Sequence, residues 1–175
     1  TTAIAGCKGD PYASRGAYGS PLQPAIAVVP FTNRSIGVEH FAAGELIADG
    51  VIARLSKTRE LKVISRLSTT AFRDRQMDTR VIKSHLGVNY VLTGSYLLNG
   101  NSLGVSAELV DPSTGHIIWA DRIQAPLHDL FESESELCGN LADKAHAAIM
   151  ASELHSAVTQ PLPSLRSYSL LLGAM

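Results

Sequence analysis

The sequence predicts an α/β domain: a mixed sheet of about five strands, three near-parallel and then an antiparallel meander, packed by three main helices. Three observations carry this. A short continuous apolar run, Ala25-Ile26-Ala27-Val28-Val29-Pro30-Phe31, has the character of a strand covered on both faces. A helix-periodic stretch follows it, then a second strand-like run from Leu61 to Arg66; a strand, helix, strand unit of this kind closes right-handed with its strands parallel. Further on, Leu103, Val105, Ala107 and Leu109 alternate with Gly104, Ser106 and Glu108 just after Asn99-Gly100, the dipeptide favoured where a tight hairpin needs positive φ.

Taken in order, the segment from Val38 to Lys57 places Phe41, Ile47, Ala48, Val51, Ile52 and Leu55 at spacings of three and four. Glu45, Asp49 and Arg54 fall largely on other azimuths, so this is an amphipathic helix. Asp78 is placed to cap a second helix carrying Val81, Ile82, His85 and Leu86, with Gly87 as its C-terminal stop. Tyr90 to Leu98 is the third parallel strand. Asp111-Pro112-Ser113-Thr114-Gly115 makes the next turn, with proline presetting φ and glycine closing it, and Ile117 to Ile123 completes the meander. From about Leu127 to Ser156, Leu130, Phe131, Cys138, Leu141, Ala145, Ala148 and Ile149 recur at helical intervals, giving a long helix to dock on the sheet.

The flanks differ from this core. Residues 1–24 are rich in Gly and Pro without apolar period and read as an interdomain linker; residues 25–160 form the domain. Pro161 and Pro163 end the long helix, and residues 161–175 start a further helical region, whose Leu165, Tyr168, Leu171 and Leu172 need a partner surface. The chain opens Thr1-Thr2-Ala3 and stops at Met175 inside an apolar run, so it is expected to be a piece of a longer protein, with self-association through the last segment as one outcome. The 175 residues carry a net charge of −1 and 18% charged residues, which gives no basic field for direct nucleic-acid binding. No run is long enough for a membrane span. Two cysteines, Cys7 and Cys138, are too few for a disulfide-stapled secreted fold, so a cytoplasmic setting is expected, with the periplasm as the alternative.

The blocks Ala25-Ile26-Ala27-Val28-Val29-Pro30-Phe31-Thr32-Asn33, Leu61-Lys62-Val63-Ile64-Ser65-Arg66-Leu67-Ser68 and Leu86-Gly87-Val88-Asn89-Tyr90-Val91-Leu92-Thr93-Gly94-Ser95 resemble the strands of the TolB-like domain family. Ala107-Glu108-Leu109-Val110-Asp111 and Thr114-Gly115-His116-Ile117-Ile118-Trp119-Ala120-Asp121-Arg122 are similar to its hairpin region. The resemblance spans about residues 25–160. It implies a non-catalytic regulatory or protein-interaction domain of a bacterial signalling protein, set between an upstream output domain and downstream tetratricopeptide-like helical repeats. The output domain implied is a class III adenylate or guanylate cyclase; the alternatives are a winged-helix transcriptional regulator and an exported envelope-assembly domain. Members of that family usually carry an acidic residue before the glycine of the first helix. Here Ala42-Ala43-Gly44 stands instead, which argues against a charge-dependent role at that point.

Catalytic chemistry finds no footing in the residues. None of the six histidines pairs with another His or Cys at the local spacing of common zinc motifs, so no metal is expected. No G-x-S-x-G elbow and no phosphate-binding G-x-x-x-x-G-K-[ST] loop occurs, and no cofactor is expected. Glu132, Glu134 and Glu136 are expected on differing azimuths of a solvated helix. Asp111 suits turn chemistry, and Trp119 suits a sheet-face anchor. The polar residues that invite a binding role follow the first two strands: Asn33, Arg34 and Ser35 after one, Arg66 and Ser68 after the other. Parallel strands would bring these to one edge of the sheet, where arginines and hydroxyls suit an anion, a carboxylate or an acidic partner group.

Overall fold

A computed structural model of the chain describes residues 23–36, 42–72 and 78–159. The expected leader and the expected C-terminal helical start lie outside the described residues, except for Gln23 and Pro24.

Strand β1 (Ala25–Val28) is the hub of the sheet. It pairs in parallel with β3 (Lys62–Val63) on one side and β4 (Tyr90–Asn99) on the other. After Pro30, which has no N–H to give the ladder, the chain resumes as β2 (Thr32–Asn33) beside the second half of β4. Strands β5 (Ser102–Val110) and β6 (Ile117–Pro126) continue antiparallel, so the order is β3-β1-β4-β5-β6 with β2 flanking β4. The mixed sheet, parallel first and meander second, is the one the apolar runs and the alternation predict.

Helix α1 (Ala43–Leu55) and helix α4 (Glu136–Thr159) pack against each other on one face. Ile26, Val28, Leu92, Leu103, Val105 and Leu109 point into this main core with Ile47, Val51, Leu141 and Ile149. On the other face a smaller cluster joins Ala25, Ala27, Val29 and Val91 to Phe72 and Ile82. Phe72 lies just after the short helix α2 (Arg66–Thr69), and Ile82 lies in α3 (Thr79–Leu86). Alternate residues of β1 thus enter two cores, which explains its unbroken apolar run. The second layer ends there, and the far halves of β4, β5 and β6 keep one face open.

Two glycines let the β1–β2 bend close. A Cβ on Gly44 would stand 1.9 Å from the Phe31 carbonyl oxygen, and one on Gly94 would stand 2.2 Å from the Ser106 carbonyl and 2.5 Å from the Phe31 ring. Phe31 donates its N–H to the Gly44 carbonyl at 3.2 Å, tying the bend to α1. In α3, Asp78 accepts from the Arg80 N–H as the N-cap, and Gly87 (φ 63°) ends the helix in the left-handed region, both as the sequence predicts.

Three elements differ from expectation. The second strand is cut short, because Ser65 accepts from the Leu67 N–H and starts α2 at Arg66. In the hairpin Asn99 pairs with Ser102, so the two loop residues are Gly100 and Asn101 rather than Asn99 and Gly100. The long helix from Leu127 is broken: Leu127–Phe131 is a 3-10 turn, and α4 starts afresh at Glu136. Buried Asp129 causes that break by accepting from Ser135 Oγ at 2.6 Å, Glu136 N at 3.0 Å and Leu137 N at 3.1 Å, which caps a new helix start.

Candidate functional site

The polar residues that follow β1 and β3 divide into two places. Arg66 opens α2 and turns back onto α1, whose Glu45 and Asp49 sit one helical turn apart and present both carboxylates to one guanidinium. Its Nη2 donates to Glu45 Oε2 and its Nη1 to Asp49 Oδ2, each at 2.5 Å. Burial pushes the Asp49 carboxyl above the usual range against the pull of Arg66, and the Glu45 charge adds to the rise. Arg66 is therefore occupied within the domain, closing α2 onto α1. Ser68 is exposed on α2.

Asn33 and Ser35 are also bound into the fold. Asn33 Oδ1 accepts from the Ser35 N–H, and Ser35 Oγ accepts from the Leu98 N–H, both at 2.8 Å. They extend the β2–β4 pairing beyond the strand itself. Between them Arg34 donates its backbone N–H to the Tyr96 carbonyl, and the residue is exposed.

Arg34 lines a groove of about 340 Å³ on the open sheet face. Register explains the lining. Thr32 pairs with Ser95, Ser95 with Ser106, and Ser106 with Arg122, forming one row across four strands. In the next row Leu97 pairs with Gly104 and Gly104 with Gln124; Asn99 and Ser102 form a third. Serines, amides, one glycine and the half-exposed Leu97 line the floor, with Arg34 at one wall and Arg122 at the other. Neither guanidinium has an ion-pair partner among the described residues. Arg122, Ser95, Ser102, Ser106 and Gln124 are among the lining residues that the sequence did not single out. The signal for them was the strand alternation, which puts them on the face opposite Leu103, Val105 and Leu109.

Cys138, Tyr90, His85 and Asp111 are tied into the fold. Cys138 is buried with Sγ near the Ile47 carbonyl, and burial pushes its thiol up, away from a reactive thiolate. Tyr90 donates to Glu153 Oε1 at 2.5 Å; burial first, and then this bond, raise its pKa to about 12. His85 bonds the Val81 carbonyl inside its own helix, and Asp111 accepts from the Ser113 N–H as turn chemistry requires. Among the described residues no group of three or more His, Cys, Asp or Glu could hold a metal ion. No described helix is long and apolar enough to cross a membrane.

A mixed sheet with paired helices on one face, a partial layer on the other and an open polar meander is a fold also seen in TolB. TolB from Acinetobacter baumannii has this fold at a TM-score of 0.53 and 18% identity, covering 73% of this chain and 28% of that one. A Xanthomonas campestris protein matches at a TM-score of 0.50 and 8% identity, covering 77% of this chain and 93% of that one. At these identities the likeness concerns the fold alone. Residues 22–143 match the family described as HilA/YgeH-like transcriptional regulator, second domain, and the chain belongs to that family. The "Putative adenylate cyclase 3" of Rhizobium meliloti (strain 1021) is 32% identical over 152 residues, which cover 87% of this chain and 26% of that protein. The chain thus spans about a quarter of the length of this curated relative.

Proposed function

We propose that this chain is a non-catalytic regulatory and protein-interaction domain of a multidomain bacterial signalling protein whose output domain is a class III adenylate or guanylate cyclase. The observation that carries this is the cyclase relative: most of this chain matches it, yet the match occupies only 26% of that protein, as expected of a module beside an output domain. The site supports it too, because the polar residues after β1 and β3 build contacts and a groove rather than an acid, base and nucleophile set. Asn33, Ser35 and Arg66 would hold the shape of the edge, while Arg34 and Ser68 face outward to partners, the upstream output domain and downstream helical repeats.

The family description favours a second reading, in which the output domain is a winged-helix transcriptional regulator. Both readings give this domain the same role, and a cyclase output would place it in the cytoplasm. The test is cyclic-nucleotide formation by the full-length parent, by the parent lacking residues 25–160, and by this chain alone. A change of output on deletion, with no turnover by the isolated chain, is expected. Turnover of ATP or GTP by the isolated chain would overturn the non-catalytic reading. A parent that makes no cyclic nucleotide but binds promoter DNA would transfer the domain to the regulator.

A further inference from the structure

We propose that the groove on the open sheet face is a docking site for an extended acidic polypeptide segment, with Arg34 and Arg122 gripping its carboxylates. The proposal deepens the protein-interaction reading by giving the partner a chemistry. Both arginines line the same groove, Arg34 just after β2 and Arg122 on β6, with β4 and β5 between them. Three strand spacings across the sheet and one two-residue step along it set their roots about 16 Å apart. Carboxylates two to four residues apart on an extended chain stand roughly 7–14 Å apart, so two of them can meet two guanidiniums.

The floor between the arginines fits a backbone. Ser95, Ser106 and Gly104 are small, leaving room for a chain to lie close, and Gln124 and Asn99 add amides for its carbonyls and N–H groups. The lining holds two positive side chains and no carboxylate, although the chain as a whole is slightly acidic, at −1. A solvated strand face would be expected to carry long side chains of mixed sign, and here the centre is hydroxyls, glycine and Leu97, against which the stems of an extended chain can rest.

Other occupants fit less well. A groove open along a sheet face would leave a small carboxylate largely in water, whereas small-ligand sites bury most of their ligand. A nucleic acid would want several phosphate contacts and stacking aromatics, but the lining has no lysine, and its one aromatic ring, Tyr96, is buried.

The test is fluorescence anisotropy of the 175-residue chain with a labelled ten-residue peptide alternating glutamate and serine. Controls are the same peptide with glutamine for glutamate, citrate as competitor, and a single-stranded DNA 20-mer. Saturable binding of the glutamate peptide is expected, weakened by salt and absent with glutamine. Arg34→Ala and Arg122→Ala should each weaken it roughly tenfold or more, the scale of losing hydrogen bonds between charged groups. Unchanged thermal unfolding of both variants shows that the site and not the fold was removed. No saturable peptide binding, or binding unaltered in the double variant, would overturn the proposal. So would tighter binding of DNA than of peptide, or displacement of the peptide by equimolar citrate. These outcomes leave cyclic-nucleotide output untouched as a separate question, so docking and regulation can fail independently.

Discussion

Arg66 shows how one residue type serves two opposite ends. As a free arginine after a strand it would be a binding group, but with Glu45 and Asp49 within 2.5 Å it becomes the clasp between α2 and α1. Its side chain is 33% exposed, so solvent screens the pair in part. Arg66→Ala should therefore cost about 1–2 kcal/mol, below the full range for hydrogen bonds to charged groups. The loss should depend on pH in a definite sense. Burial already holds Asp49 above the usual carboxylate range, and without Arg66 the charged form is disfavoured further. A carboxyl whose folded pKa is raised costs stability above that pKa and costs nothing below its unfolded value, near 3.9. The gap between variant and parent in urea unfolding should therefore narrow as pH falls from 7 towards about 4. A gap that widens with acid would show that the clasp does not work through charge.

At the scale of the element, the start of α4 depends on a group seven residues before it. Asp129 is only 7% exposed; burial alone would raise its pKa, but the bonds from Ser135 Oγ and the Leu137 and Glu136 N–H groups outweigh burial and hold it below the usual range. Asp129→Ala should cost about 2–3 kcal/mol, the scale of losing charge-assisted bonds to a helix start and to the Ser135 hydroxyl that caps it. Because the folded pKa is lowered, this contribution is full above the unfolded value of about 3.9 and disappears as pH falls through the folded one. Variant and parent should then unfold alike in strong acid, and a constant difference down to pH 2 would refute the assignment. This start was not legible in the sequence, because Leu130, Phe131, Cys138 and Leu141 keep helical spacing across the break. The spacing records which residues are buried and is blind to a side chain that captures N–H groups. The hairpin is the converse case. Moving its loop by one residue shifts each pairing by two, which keeps every side chain on its face. Leu103, Val105 and Leu109 are therefore buried as the alternation predicts, while the meeting of Ser106 with Ser95 is not foreseen. Arg34 was legible as an exposed polar residue after a strand. Arg122 was hidden because its partners across the groove come from strands far apart in sequence.

Across the whole molecule the sheet is unequal. Around β1 and the first residues of β4 it is covered on both faces, by α1 and α4 on one side and by Phe72 and Ile82 on the other. Towards β6 only the α4 face is covered, and β6 is also an edge, with Lys144 of α4 paired to its Asp121. Such a layout separates a doubly covered scaffold from an open face, since local opening is easiest where few apolar groups are buried. An inward-facing charge such as Asp121 and the irregular pairing at Leu109/Val110 also discourage the edge from adding a strand of another copy. Amide exchange should report this gradient directly. The slowest N–H groups should be those of Ile26 to Val28 and of Val91 and Leu92, exchanging only on global unfolding. Those on the outer side of β6, with no ladder partner, should exchange orders of magnitude faster. Adding the glutamate–serine peptide should slow exchange along the groove rows of β4 to β6 and leave β1 unchanged. If the outer β6 amides prove as slow as those of β1 in the chain alone, and speed up on dilution, the edge is paired between copies and the face serves self-assembly instead.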